Sequence, residues 1–255
     1  MKLTIDTKNA VVTAECDGVA RELPLASSEA FDLVSQAWLR ASWDSKYVYG
    51  FTWFGRPIIQ LPEDIVRMQE LIYALKPTVV IETGIAHGGS LVFYASLFKA
   101  MGRGRVIGVD VDIRQHNRKA IQQHEFAPLI TLIEGNSIDP TIASRVKAYL
   151  EPDDTVIVVL DSNHSKSHVL AELRLYAPLV SVGSYIVVCD GIMEYLVGGP
   201  RTKPDWDTNN PRQAVLEFIS GNQSFVLDEP KWPFNEGAIN HRVTYWPDAF
   251  IKRVK

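Results

Sequence analysis

Short runs of β-branched and other apolar residues alternate with amphipathic stretches from residue 78 onward. Five such runs predict buried strands, at residues 79–81, 105–109, 130–134, 155–160 and 184–188. Apolar residues at helical spacing predict helices between them, at about 91–101, 114–124 and 141–150. Continuous apolar strands are typical of a parallel sheet covered on both faces. Their alternation with helices therefore predicts an α/β fold with a mostly parallel, doubly wound sheet.

Residues 1–62 follow a different pattern and predict an N-terminal extension ahead of this core. Alternation with a period of two over residues 3–15, followed by the turn signal Asp17-Gly18, predicts a short hairpin, and a helix is expected after it. Residues 43–62 are rich in aromatics but have neither period, which indicates an ordered loop. If exposed, these aromatics would form a large apolar patch, which favours a homo-oligomer. The ligand-binding domain is expected at residues 63–255.

Composition and charge narrow the class of protein. The 255 residues are 46% hydrophobic, which is enough for a sizeable α/β core. The net charge of −4 argues against nucleic-acid binding, because that function needs a basic face. The sequence shows no signal-peptide pattern and no apolar run that could span a bilayer, so no membrane association is expected. The two cysteines lack metal-ligand spacing, and a cytoplasmic location fits them best.

Polar side chains follow the predicted strands at their carboxyl ends. Because these ends meet at one edge of an open α/β sheet, where ligands bind, the side chains are expected to converge. The polar strand ends are Glu82, Asp110, the segment Glu134-Gly135-Asn136-Ser137, Asp161 and Asp190.

The first of these strands leads into a glycine-rich turn, Gly84-Ile85-Ala86-His87-Gly88-Gly89. The turn lacks the second glycine of a dinucleotide fingerprint, and Ser90 stands where a P-loop needs lysine. An acidic strand end followed by a loose glycine turn suits a cationic ligand without phosphate, such as S-adenosylmethionine. Asp110 is placed to accept from the ribose hydroxyls of such a ligand. A purely steric role of the glycines in helix–strand packing is the alternative.

This interpretation predicts a set of cofactor contacts around the turn and the neighbouring strand ends. The expected contacts are Glu82, Thr83, Gly84, His87, Gly88, Ser90, Asp110, Asp112, Arg114, Ser137 and Asp161. For Asp112 and Arg114, a local ion pair is an equally good interpretation.

A second group of residues, Asp161-Ser162-Asn163-His164, follows the fourth strand and indicates acid–base chemistry. An imidazole with an ordinary pKa near 6.5 is a good general base at neutral pH, so His164 and Asp161 are the predicted catalytic residues. The alternative for His164 is a helix cap. Asp161 and Asp190 offer two hard oxygens, which suit Mg²⁺. The alternative is that either aspartate binds the cofactor amino group or a backbone amide.

Several long stretches between residues 43 and 220 are shared with one known family. They are Lys46-Tyr47, Phe51-Thr52-Trp53, Gly55-Arg56-Pro57-Ile58-Ile59-Gln60-Leu61-Pro62, Ile81-Glu82-Thr83-Gly84, Gly108-Val109-Asp110-Val111-Asp112-Ile113-Arg114, Leu160-Asp161-Ser162-Asn163-His164 and Ala171-Glu172-Leu173-Arg174-Leu175-Tyr176-Ala177-Pro178-Leu179-Val180. Here the sequence resembles the family that groups cephalosporin-biosynthesis methyltransferase-like proteins with rhamnosyl and macrolide-sugar O-methyltransferases.

The resemblance implies a Rossmann-like class I methyltransferase fold, S-adenosylmethionine as cofactor and an oligomer. It also implies Mg²⁺ bound by Asp161 and by a carboxylate pair after the next strand, with His164 in the place of the catalytic base. The sequence departs from the pattern at one position, because the pair falls on Cys189-Asp190 and Cys189 carries no carboxylate. Glu194 is a candidate substitute.

The expected function is therefore methyl transfer to a hydroxyl or an amine of a sugar-containing small molecule, such as an antibiotic, an aminoglycoside or a cell-surface glycan precursor. One alternative is a binding protein that keeps the fold without turnover, which the cysteine at position 189 favours. A hydroxylase of antibiotic biosynthesis is the other alternative. It would need two histidines and a carboxylate, usually in an HxD or HxE motif, and none of the six histidines has an acid two residues on.

Overall fold

The computed structural model describes residues 1–237 and 239–255, which divide into two compact units. The first unit comprises Met1–Tyr47 and Lys231–Thr244, and the second comprises Val48–Pro230 and Tyr245–Lys255. The sequence analysis instead separated an extension at residues 1–62 from a ligand-binding domain at residues 63–255. That assignment of ligand binding stays a prediction.

The first unit contains a three-stranded antiparallel sheet and a long helix: β1 (Lys2–Asp6), β2 (Val11–Cys16), β3 (Val19–Pro24) and α1 (Ser28–Asp44). The predicted hairpin at Asp17-Gly18 is present as β2 and β3, but the segment expected to form its first strand is divided by an additional turn between β1 and β2. The Asp6 carboxylate stabilises that turn by accepting from the backbone amides of Lys8 and Asn9, at 3.0 and 2.9 Å. Ser27 caps the helix by accepting from the Ala30 amide at 3.2 Å.

The second unit contains nine strands and six helices in the part of the chain that the structure describes. The strands are β4 (Thr52–Trp53), β5 (Arg56–Pro57), β6 (Val79–Thr83), β7 (Arg105–Asp110), β8 (Ile130–Glu134), β9 (Val156–Leu160), β10 (Tyr185–Val188), β11 (Phe225–Leu227) and β12 (Phe250–Arg253). The helices are α2 (Pro62–Leu75), α3 (Gly89–Met101), α4 (Gln115–Gln122), α5 (Pro140–Lys147), α6 (Lys166–Tyr176) and α7 (Pro211–Ser220).

Seven of these strands form one sheet in the order β11-β12-β10-β9-β6-β7-β8. The strands from β6 to β10 pair in parallel, and β12 runs antiparallel to both β10 and β11. All side chains of β6 and β9 are buried, as their apolar runs predicted, and burying one Val or Ile stabilises the fold by roughly 1.5–3 kcal/mol. The predicted doubly wound, mostly parallel sheet is confirmed.

The order of the strands reverses between β6 and β9, and this point fixes the position of the site. The chain adds β7 and β8 on one side of β6, and then returns to place β9 on the other side. Thr83 is the register partner of Leu160, so both strands end at the same level. The Asp161 amide donates to the Thr83 carbonyl at 2.9 Å, just beyond the strand ends. A reversal of this kind opens a crevice outside the carboxyl ends of the strands.

The structure also contains elements that the sequence pattern did not reveal. The aromatic-rich segment, predicted as a loop, includes a short 3₁₀ turn and the β4–β5 hairpin. The strands β11 and β12, which complete one edge of the sheet, are only three and four residues long and have no clear alternation.

Across the described residues, no helix has both the length and the hydropathy to cross a membrane.

Candidate active site

The glycine-rich turn between β6 and α3 is held by side chains from three other segments. Asp110, at the end of β7, accepts from the amides of Ile85 and Ala86 at 2.7 and 3.3 Å through one carboxylate oxygen. Arg56 donates to the His87 carbonyl at 3.0 Å, and the amide of Asn117 donates to the Ala86 carbonyl at 2.9 Å. The backbone of the turn is therefore preorganised by hydrogen bonds on both of its sides.

Close packing restricts three glycines of the turn, two of them against backbone. A Cβ atom at Gly84 would overlap the carbonyl group of Asp161, and one at Gly89 would overlap the carbonyl group of Pro57. At Gly88 the obstacle is the side chain of Ile121. Gly84 also has a φ of +90°, which L-residues rarely adopt. The steric role that the sequence left open thus applies at all three positions, and at Gly84 it brings the turn directly against the loop after β9.

Glu82 and Ser90, two of the predicted cofactor contacts, bond to each other inside the protein. The Ser90 hydroxyl donates to the Glu82 carboxylate at 2.6 Å, and the hydroxyl of Tyr94 donates to it at 3.3 Å. Glu82 is fully buried, and this burial raises the pKa of its carboxyl group to about 8, with the charge of Asp110 adding to the rise. Thr83 is buried as well, and its hydroxyl has no hydrogen-bond partner in the described part of the chain.

The remaining residues around the turn lie nearer to solvent. Asp110 and His87 are half-buried, whereas Asp112 and Arg114 are exposed. The second carboxylate oxygen of Asp110 accepts from the Asp112 amide at 3.1 Å. Within residues 1–237 and 239–255, Asp112 and Arg114 do not form the local ion pair that was an alternative for them. Asp110 is therefore the acid that the fold holds most firmly beside the turn.

Three side chains come together beyond the ends of β9 and β10. One ligand atom from each of Asp161, His164 and Asp190 can be chosen so that all three lie within 4.8 Å of one another. The His164 Nε2 atom is 3.4 Å from the Asp190 Oδ2 atom. The Gln60 amide donates to Asp161 at 3.5 Å from the segment that precedes α2. We call Asp161, His164 and Asp190 the triad.

The electrostatics of the triad favour a cation. Loss of water in the cleft, followed by the charges of Asp190 and Glu82, raises the pKa of Asp161 well above its ordinary range. Loss of water also raises the pKa of Asp190, and the nearby His164 partly offsets this. Asp190 further adopts a left-handed backbone with a φ of +62°, a strained conformation for a non-glycine residue that is often found at functional sites.

Among the described residues, no further carboxylate joins the triad in place of the one that is missing at position 189. Cys189 is 1% exposed, and burial raises the pKa of its thiol well above the ordinary value, so that it stays protonated and neutral. Glu194, the candidate substitute, pairs instead with Arg212 at 2.7 Å and accepts from Gln213 at 3.0 Å. The triad therefore contains two carboxylates and one imidazole.

A buried polar network lies next to the triad. The carboxylate of Glu172, on α6, is fully buried and accepts from the hydroxyl of Ser162 at 2.6 Å. The His168 Nε2 atom lies 3.3 Å from the Ser162 hydroxyl and 3.1 Å from the hydroxyl of Ser137, the last predicted cofactor contact. The network links the loops after β8 and β9 to α6.

The sequence interpretation missed some residues that shape this site. Arg56 and Gln60 belong to one of the stretches that carried the family resemblance, which was the only available signal for them. Glu172 also lies in such a stretch, whereas Asn117 gave no signal, because its partners lie on other elements.

The fold and the site together define a class. A seven-stranded sheet with one antiparallel strand, a glycine-rich first turn and acids at the ends of the strands is the Rossmann-like class I methyltransferase fold. Residues 45–254 match the family model described as Rhamnosyl O-methyltransferase/CmcI, and the chain belongs to this family.

Known relatives and solved structures agree with this placement. Rhamnosyl O-methyltransferase of Mycobacterium tuberculosis (strain H37Rv) is 34% identical over 141 residues, which cover 54% of this chain and 56% of that protein. The protein of the same name from Mycobacterium leprae is 35% identical over 141 residues and is covered to 59%. The match thus spans little more than half the length of these curated relatives.

Two solved CmcI structures resemble the chain in fold. An apo structure of CmcI has a TM-score of 0.55 at 20% identity and covers 81% of this chain and 77% of its own. A CmcI structure with Mg and SAM has a TM-score of 0.56 at 19% identity, with coverages of 81% and 78%.

Proposed function

We propose that this protein is an S-adenosylmethionine-dependent methyltransferase that acts on a hydroxyl or an amine of a sugar-containing small molecule. The observation that carries the proposal is the direct contact between two loops. The glycine-rich turn, suited to a methyl donor, lies against the loop that bears Asp161, and the triad lies just beyond it. Donor and acceptor would therefore meet at the same edge of the sheet, which methyl transfer by in-line displacement requires.

The donor side of the site is assigned to the turn and to Asp110. S-adenosylmethionine supplies the reaction with a methyl group on a positively charged sulfur. The half-buried Asp110 would accept from the ribose hydroxyls, since a carboxylate can accept more hydrogen bonds than the three it receives from the turn and from Asp112. Gly84, Gly88 and His87 would face the ligand with their backbone. Glu82 and Ser90 would support the turn through their mutual hydrogen bond.

The acceptor side is assigned to the triad. Two carboxylates within 4.8 Å of each other, both with raised pKa values, form a site that a divalent cation would stabilise. Asp161 and Asp190 fit Mg²⁺, whose role would be to orient and acidify an acceptor hydroxyl. His164 would take the proton from the acceptor, and Asp190, 3.4 Å away, would stabilise the resulting imidazolium.

Binding of the methyl donor tests the proposal directly. We expect S-adenosylmethionine to bind with a Kd in the micromolar range, about −8 kcal/mol. Asp110→Asn keeps the shape of the side chain but removes its charge, and should weaken binding at least tenfold. Asp153→Asn is the control, because Asp153 is an exposed acid in the turn that precedes β9. Calorimetry that finds tight binding of NAD and none of S-adenosylmethionine would refute the proposal.

Turnover then separates an enzyme from a binding protein with the same fold. The neutral thiol at position 189 is the one feature that favours binding without turnover. Transfer of a labelled methyl group to a member of a sugar and antibiotic library supports the enzyme, and donor binding without any transfer supports the alternative. The proposal further includes a homo-oligomer, which the exposed aromatics Tyr47, Tyr49 and Phe54 favour. It also includes a location in the cytoplasm, which the two free cysteines favour.

A further inference from the structure

A cavity of about 300 Å³ opens beside the triad and has two walls of different character. One wall is the loop after β9, which includes Asn163 and His164. The other wall is formed by residues that precede α7, namely Lys203, Trp206 and Asn209. The volume is at the lower end of the range for ligand pockets in proteins, so one sugar ring is a better match than a large ligand.

The second wall is anchored in place by hydrogen bonds. The side-chain oxygen of Asn209 accepts from the backbone amide of Lys166 at 2.8 Å, which satisfies an otherwise free N–H group at the start of α6. The fully buried Asn210 donates to the Trp206 carbonyl at 2.7 Å and caps α7 by accepting from the Gln213 amide at 2.9 Å. The indole of Trp206 is thus presented to the cavity from a fixed backbone.

Lys203 gives this wall a positive charge. Its side chain is exposed, and it forms no ion pair with any residue that the structure describes. The nearest acids along the chain do not pair with Lys203 in the described residues: Asp205 accepts from the Asn209 amide at 2.7 Å, and Asp207 accepts from the Thr208 hydroxyl at 3.4 Å. The cavity therefore combines a flat aromatic surface, amides and a cation.

We propose that this cavity binds an acceptor sugar that carries a carboxylate or a phosphate group. The inference rests on the proposed methyl transfer and names its substrate class. The apolar face of the sugar ring packs on Trp206, whose large rigid surface suits a ring with one apolar and one polar side. The acidic group pairs with Lys203, on the wall opposite His164. Hydroxyls along the ring edge bond to the amide of Asn163.

Three small sugars serve as probes and separate the contribution of the acidic group from that of the sugar ring. They are methyl α-glucopyranoside, which is neutral, methyl α-glucuronide, which carries a carboxylate, and glucose 1-phosphate. Ligand-observed NMR measures the Kd of each probe on the full chain, saturated with S-adenosylmethionine. We expect at least one charged probe to bind about tenfold or more tightly than the neutral one, as for a hydrogen bond to a charged group. The two charged probes show which acidic group the cavity prefers.

Substitutions in the second wall test which of its residues cause the preference for charged probes. Lys203→Gln should remove the preference for the charged probes, whereas Lys203→Arg should keep it, because arginine preserves the positive charge. Trp206→Ala should weaken all probes that bind. Lys147→Gln, at an exposed position at the end of α5, is the control and should change nothing.

Equal affinity for neutral and charged probes would overturn the inference, and so would a preference that survives Lys203→Gln. Calorimetry with S-adenosylmethionine on the same samples keeps the two proposals apart. If the donor binds and no probe does, the acceptor class is wrong and the methyltransferase proposal stands. If the donor fails to bind, both proposals fall.

Discussion

Glu82→Gln is a substitution whose effect on stability should depend strongly on pH. The Glu82 carboxyl group is fully buried in β6 and accepts hydrogen bonds from Ser90 and Tyr94. Burial raises its pKa from an ordinary 4.5 to about 8 in the folded protein. Glutamine has nearly the same shape and remains neutral at every pH, so the substitution removes the titration, and the exchange of one acceptor oxygen for an NH₂ group adds an offset that does not depend on pH.

The sign and size of the effect follow from proton linkage. Because the folded protein holds the Glu82 proton more tightly than the unfolded chain, the stability gained from this proton is complete below about pH 4.5. It is lost as the pH rises to about 8. The difference between a pKa of 4.5 and one of about 8, at about 1.36 kcal/mol per pH unit, corresponds to about 5 kcal/mol. Relative to wild type, the glutamine variant should therefore become more stable by roughly 1 kcal/mol per pH unit over this interval.

Urea denaturation of both proteins at pH 5, 6, 7 and 8, in the presence of a chelator, measures the difference in free energy of unfolding. Groups that do not interact with Glu82 cancel in this difference, whereas Asp161, whose pKa the charge of Glu82 raises, contributes to it. Glu125→Gln, at an exposed position, is carried through the same series as a control. A difference between wild type and Glu82→Gln that stays constant from pH 5 to 8 would show that Glu82 is not held neutral by the fold.

Three further predictions concern the site and the assembly. Gly84→Ala should destabilise the protein by about 1–3 kcal/mol more than Gly102→Ala in thermal or urea unfolding, because both glycines have positive φ angles but only Gly84 faces a backbone obstacle. Equal losses would show that the approach to Asp161 is not tight in solution. His164→Ala should lower kcat by about 10²–10⁴ and leave S-adenosylmethionine affinity within threefold; a destabilised but fully active variant would make His164 a structural cap. Light scattering should give a mass above the 28.6 kDa of one chain, and a monomer at micromolar concentration would contradict the proposed oligomer.

The sheet was predictable because its strands are buried on both faces. Val79-Val80-Ile81 and the run that ends at Leu160 are short, continuous and rich in β-branched residues, which is typical of strands in a parallel sheet. The convergence of the polar strand ends was also predictable, because parallel strands place their carboxyl ends at one edge of the sheet. The grouping of Asp161 and Asp190 beside His164 follows from that rule and from no local signal.

The direction of a side chain at the site was harder to predict. Glu82 was expected to face the cofactor, but its carboxylate lies between β6 and α3, where Ser90 and Tyr94 bond to it. A strand that is buried on both faces has no polar side, so its pattern does not tell which way an acid points. The contacts of Arg56 with His87 and Asn117 depend on how distant segments pack, which periodicity does not encode.

The return of the chain across β6 also divides the site along the sequence. Every residue assigned to the methyl donor, apart from Asp161, lies before position 140, and every residue assigned to the acceptor lies after position 160. The exposed turn at residues 151–153 lies between the two groups. One recombination event at this turn between two members of the family would join the donor half of one to the acceptor half of the other. New acceptor specificities can arise in this way in a single step, with the donor residues before position 140 unchanged.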